Sequence, residues 1–277
     1  MTERWCEGFA YPECPRWHDD ALWFSDQHAG EVVRVDASGS PTVVHRVVSR
    51  PSGLGWRPDG SLLVVSMLDH RLLCEREGEL SAVADFTGLH GGPTNDMVVD
   101  EFGRAYIGNI GFDFYAGESA RPTVITMVDV DDRVSVVADD VVVPNGMVIT
   151  SQHELVFAES WRHQLTRFAI ADDGSLHDRE VFADVGTDIP DGICIDAEDA
   201  VWYASLHDRL EVVRVARGGQ VLDRVKTTGE AIACELGGVD GHTLFVCVSD
   251  DLRPETSVAN RTGRIECARV DVPRRGH

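Results

Sequence analysis

The chain has 277 residues, a 43% hydrophobic share and a formal net charge of −22, with 47 acidic residues against 25 Lys and Arg. That balance lacks the basic footprint that nucleic acid or an anionic membrane surface requires. No run of eighteen apolar residues occurs, and Met1-Thr2-Glu3-Arg4-Trp5-Cys6-Glu7 carries no apolar signal-peptide core, so a chain that neither spans a membrane nor is exported is expected.

The seven cysteines are odd in number and none forms a Cys-x-x-Cys pair. Cys194, Cys234 and Cys247 sit inside apolar runs, which suits free thiols in a reducing cytoplasm.

From the N-terminus, Glu3 to Phe9 reads as a strand with no place in the pattern that follows. Six apolar strand cores then recur: Leu22-Trp23-Phe24, Leu62-Leu63-Val64, Ala105-Tyr106-Ile107, Leu155-Val156-Phe157, Val201-Trp202-Tyr203 and Leu244-Phe245-Val246. They are spaced 40, 43, 50, 46 and 43 residues apart, the period of a propeller blade. The second repeat spells out four strands. Gly53 to Trp56 leads through the turn Arg57-Pro58-Asp59-Gly60 to Leu62–Ser66, then Arg71 to Cys74, then Leu80 to Ala84. Helical periodicity is absent.

The third repeat holds the longest loop on the strand-two side, Asn109 to Glu118, with Phe112, Phe114 and Tyr115 beside glycines. It reads either as a lid or as a loop packed on its own blade. The sixth repeat has strands at Ala231 to Leu236, Thr243 to Val248 and Gly263 to Val272, and lacks a fourth. The spare strand Glu3 to Phe9 is expected to supply it and close the ring. The expectation is an all-β fold: residues 1–277 as one six-bladed β-propeller domain, closed by an N-terminal strand that completes the last blade.

One column of positions opens the first strand of each repeat. Counted back from Trp17, Trp56, Val99, Ile149, Ile195 and Leu236, it reads Glu13, Ser52, Asn95, Asn145, Asp191 and Ile232. In a ring these side chains face one another. Glu13, Asn145 and Asp191 offer only oxygen, which suits a hard divalent cation: Ca2+ first, with Mg2+, Mn2+ or Zn2+ as alternatives. Two carboxylates balance one such charge. Without it they would repel, and one would take up a proton. Pro-Asp-Gly and Pro-Asn-Gly are ordinary turn signatures singly; the recurrence in register carries the metal reading. His28, His70, His163 and His207 fall in loops of the same face and His90 in a linking segment, where exposure is the plainer expectation for each.

Pro12-Glu13-Cys14-Pro15-Arg16-Trp17, Asn95-Asp96, Asp100 with Gly103-Arg104, Pro144-Asn145-Gly146 and Pro190-Asp191-Gly192-Ile193-Cys194-Ile195-Asp196-Ala197 together resemble the SMP-30, gluconolactonase and luciferin-regenerating-enzyme family, over nearly the whole chain. The resemblance implies a divalent metal held by Glu13, Asn145 and Asp191. It implies Asn95 against substrate or a metal-bound water, lactone hydrolysis, and Asp191 as base. Sugar lactonases of that family often carry an Arg two residues before Asn95, where this chain has Pro93. With Phe112, Phe114, Tyr115 and Trp161 on the same face, a less polar lactone or ester is expected. The metal would polarise the carbonyl while Asp191 assists water attack. Two alternatives stand beside this one: a phosphotriesterase or aryl esterase on the same metal, and a non-catalytic binding propeller stiffened by the ion. The partners expected are small molecules, with no nucleic acid and no membrane, in a monomer or small homo-oligomer.

Overall fold

The computed structural model describes residues 1–114, 116–207 and 209–275. These form six four-stranded antiparallel sheets. The first strands of consecutive sheets touch all the way round, and Glu230–Gly237 of the last meets Pro12–His18 of the first. This is the six-bladed propeller the spacing predicts. Among the described residues, no helix is long and apolar enough to cross a membrane.

The core is divided rather than central. Each hydrophobic cluster lies between two neighbouring blades: Trp17, Phe24, Ile232 and Phe245 between the first and last, for example, and Val148, Val156, Ile193 and Tyr203 between the fourth and fifth. Inner strands therefore bury both faces. Leu62–Ser66 is buried at every residue, which is why such strands read as unbroken apolar runs.

Glu3–Phe9 pairs antiparallel with Gly263–Arg269, so the last blade is completed by the N-terminal strand. Trp5 packs on Phe245 with ring centroids 4.8 Å apart, and the Thr2 hydroxyl donates to the buried Glu266 carboxylate. Gly263–Arg269 stops short of the expected Val272. The chain beyond it turns across the end of the channel opposite the column. There Ala197 N donates to Pro273 O at 2.9 Å, and Arg275 Nη2 reaches Ile149 O at 2.7 Å. Blades four, five and six are tied together by this segment.

A short helix, Pro254–Asn260, sits in the strand-two-to-three loop of the last blade. At seven residues it is too short to show a period, and that loop (250–262) is as long as the one in the third blade (110–122). Tyr115, expected on the lid, lies outside the described residues.

Candidate metal and active site

The column is built by a repeated defect. In every blade the pairing of first and second strands shifts register at the column: between Glu13 and Arg16, Pro51 and Leu54, Thr94 and Met97, Pro144 and Met147, Pro190 and Ile193, and Ala231 and Ala233. A bulge turns a side chain out of the sheet alternation. Here it lets the column residues face one another at the channel mouth.

They form a hydrogen-bonded chain around it. Gln27 Nε2 donates to Ser52 Oγ at 3.4 Å, Ser52 Oγ to Asn95 Oδ1 at 3.2 Å, and Asn95 Nδ2 to Asn145 Oδ1 at 3.1 Å. Asn145 also hydrogen-bonds the Asp191 carboxylate. Ser160 Oγ, 3.5 Å from Asn145 Nδ2, donates to Pro190 O at 2.7 Å and so ties the fourth blade to the turn that carries Asp191.

Glu13 is 6% exposed and Asp191 4%, and neither forms a salt bridge with a described residue. Burial first, then the mutual repulsion of Glu13, Asp191 and nearby Asp96, pushes both carboxyl groups well above the usual range. Two buried acids without a salt bridge among the described residues, next to an amide oxygen with a second lone pair free, are a donor set that suits a divalent cation.

Asp96 and Arg16 escaped the sequence reading. Asp96 is 1% exposed, and its Oδ1 lies 3.7 Å from Arg16 Nη2, which donates to Met97 O at 2.7 Å. The signal was available: the slot after the column reads Cys14, Gly53, Asp96, Gly146, Gly192 and Ala233, and only two of these carry a functional side chain. Ser52, given no role from the sequence, orients Asn95.

The aromatics divide by exposure. Phe112 is buried at 2% and lies under Trp161, centroids 5.9 Å apart and edge-on. Phe114 and Trp161 are 50% and 40% exposed, with centroids 5.8 Å apart. Trp161 belongs to the short 3₁₀ turn Ser160–Arg162, one residue from the Ser160 hydroxyl that faces Asn145. The loop base is seated on the link before Asn95: Arg121 donates to Gly111 O at 2.8 Å and to Gly91 O at 2.9 Å. A Cβ on Gly92 would fall 2.5 Å from Phe112 N, so the glycine is what admits the loop.

Of the histidines, His207 is exposed, and His70 and His163 are half-buried, with His163 Nδ1 2.9 Å from Asp188 O. His28 and His90 depart from the expectation of exposure. His28 stacks on Tyr11 and meets Ser257 Oγ at 2.7 Å; His90 lies between Thr94 and Thr126 hydroxyls at 2.9 and 3.1 Å. A cavity of about 710 Å3 lies in the opposite half of the channel, among Trp17, Trp56, Ile149, Ile195, Glu235 and Arg274. No column residue lines it, so the mouth and this cavity are separate features.

The family described as SMP-30/Gluconolactonase/LRE-like region matches residues 11–250, which include every column residue. The chain belongs to that family. This family member is 28% identical over 276 residues to a 6-deoxy-6-sulfogluconolactonase of Pseudomonas putida, covering 94% of this chain and 91% of the relative. It is 28% identical over 247 residues to a pentonolactonase of Haloferax volcanii, covering 84% and 80%. In fold it is similar to a solved luciferin-regenerating enzyme, with a TM-score of 0.84, 15% identity and coverage of 99% and 97%.

Proposed function

We propose that the protein is a metal-dependent lactonase whose substrate is a sugar lactone. The observation that carries this is the pair of buried carboxylates, Glu13 and Asp191, the second of them hydrogen-bonded into the Asn145–Asn95 network, with no salt bridge to either acid among the described residues. Family membership and the names of the two sugar-lactonase relatives support the reaction class. Glu13, Asn145 and Asp191 would hold one divalent cation; their all-oxygen donor set favours Ca2+, with Mg2+, Mn2+ and Zn2+ as alternatives. When bound, the cation polarises the lactone carbonyl and stabilises the charge that develops on its oxygen.

The protein's own groups do the rest. Asp191 accepts a proton from the attacking water. Asn95 is held by Ser52 and Asn145, which leaves its second N–H to donate to substrate. Phe114 and Trp161 wall the entrance, with Phe112 beneath as support. Pro93 argued for a less polar lactone. The sugar-lactonase relatives argue the other way, and Arg121 brings a guanidinium to the same corner, 51% exposed and hydrogen-bonded to Gly91 O. All seven cysteines are free, which supports a reducing, cytoplasmic setting.

The test is a panel of aldonolactones, aliphatic lactones, aryl esters and phosphotriesters, run with chelator-stripped protein and one cation restored at a time. Sugar-lactone turnover that needs a cation is expected. Undiminished turnover by the stripped protein, or turnover confined to the other classes, would overturn the reading.

A further inference from the structure

The slot one residue past the column has its own chemistry. In blades two, four and five it holds glycine because the next blade leaves no room. A Cβ on Gly53 would lie 2.6 Å from Met97 N, on Gly146 2.4 Å from Ile193 N, and on Gly192 2.2 Å from Ala233 Cβ. The sixth blade holds Ala233, fully buried. Blades one and three instead place Cys14 and Asp96 there, both buried. With Glu13 they bring a thiol sulfur and two carboxylate oxygens within 4.8 Å of one another. Asp96 Oδ1 accepts no hydrogen bond, although it is shut away from water. Cys14 Sγ lies 3.7 Å from Ser52 Oγ and within hydrogen-bonding reach of the Glu13 and Asp96 carboxyl groups.

We propose that Glu13, Cys14 and Asp96 form a second cation site, beside the column, that takes a thiophilic divalent ion of the zinc type. One sulfur and two carboxylate oxygens, with a fourth position left for water, are a ligand number and type that zinc accepts. Cys14 binds as thiolate and releases its proton to solvent. The charges then balance: two carboxylates and a thiolate against the cation and the Arg16 guanidinium, which stands 3.7 Å from Asp96. Arg16 thereby offsets the excess negative charge and closes one side of the site. Glu13 is shared with the oxygen-only centre, so the second site rests on that reading for this one ligand. Its sulfur distinguishes it.

The experiment titrates the chelator-stripped full chain with Co2+ alone. A near-ultraviolet sulfur-to-cobalt charge-transfer band is expected. Cys14→Ser should lose the band, and Asp191→Asn should keep it, because Asp191 belongs only to the column. Zinc-loaded wild-type protein, which needs no variant, should show one sulfur neighbour at about 2.3 Å by X-ray absorption. Cobalt bound without the band, a band that survives in Cys14→Ser, or a zinc shell of oxygen alone would each overturn the site while leaving the oxygen-ligand centre intact. Failure of cobalt to bind at all would overturn it too. A band without any lactone turnover would support this site and sink the lactonase reading instead.

Discussion

Asn95 Nδ2 donates to Asn145 Oδ1 at 3.1 Å, joining the third and fourth blades at the mouth of the channel. Because Ser52 in turn donates to Asn95 Oδ1, the orientation of one amide is set from both sides. A flipped Asn95 would point oxygen at Asn145 Oδ1 and nitrogen at a hydroxyl, losing its bond to Asn145.

Ser52→Ala should therefore be felt. One neutral hydrogen bond is worth about 0.5–1.5 kcal/mol, so kcat/KM should fall roughly two- to tenfold, with metal affinity by calorimetry unchanged. An unaltered kcat/KM would mean that Asn95 holds its place without help or does not touch substrate.

Asp191→Asn keeps one carbonyl oxygen and removes the charge and the base. Turnover should drop by about a hundred- to ten-thousand-fold and stay low at saturating metal. Recovery of full turnover in excess metal would reduce Asp191 to a ligand. Normal metal affinity would remove the ligand role as well.

Trp161→Ala and Phe114→Ser take away exposed aromatic surface without opening the core. Both should shift preference across the lactone panel and leave cation affinity alone. Phe112→Ala is the contrasting variant: it empties a buried site and should destabilise the fold by about 3–5 kcal/mol. Kinetics unchanged in the first two, measured over the whole panel, would confine these rings to packing.

His90 supplies a pH dependence. Burial, with His70 nearby, lowers it from 6.5 to about 3. It stays neutral in the folded chain while an unfolded chain protonates it below about 6.5. The unfolded state thus binds the extra proton across the interval from 6.5 down to 3. Stability from this group is complete above that interval and is lost as pH falls through it. His90→Gln, which keeps polar contact with Thr94 and Thr126, should lose less stability than wild type between pH 7 and pH 4. Urea midpoints measured at several pH values would show the two curves converging; parallel curves would refute the assignment.

The closing strand can be tested by removal. Deleting residues 1–9 uncovers Phe245 and Ile265 and leaves Gly263–Arg269 as an open edge. Each such side chain is worth about 1.5–3 kcal/mol when buried, and at roughly 2–4 °C per kcal/mol the melting temperature should fall on the order of 10 °C. An unchanged melting temperature would mean that the pairing contributes nothing.

What the sequence disclosed follows from periodicity. Inner strands packed on both faces must be apolar at every residue, so Leu62-Leu63-Val64 and its five counterparts stand out, and their even spacing fixes the blade count. The column was legible because a bulge always puts the same position at the channel, and Glu13, Asn145 and Asp191 share it. Asp96 stood out only in the next slot, among glycines, and its meaning depends on Arg16 and Glu13 arriving from another blade. The helix Pro254–Asn260 was hidden by its brevity. Whether Phe112 was lid or packing could not be told from a string, since its burial is decided by Gly91 and Gly92 making way for the loop backbone.

The pairing of Glu3–Phe9 with Gly263–Arg269 also orders events in time. During synthesis the first of these strands is made before any blade, and its partner only after the other five are complete. At about 5–20 residues per second, that strand waits many seconds with its ladder unpaired. The first and last blades cannot share Trp17, Ile232 and Phe245 until then. Mutations along this seam should act less on the rate at which early blades form than on how long the nearly finished chain stays open to chaperones, proteases and other unpaired edges.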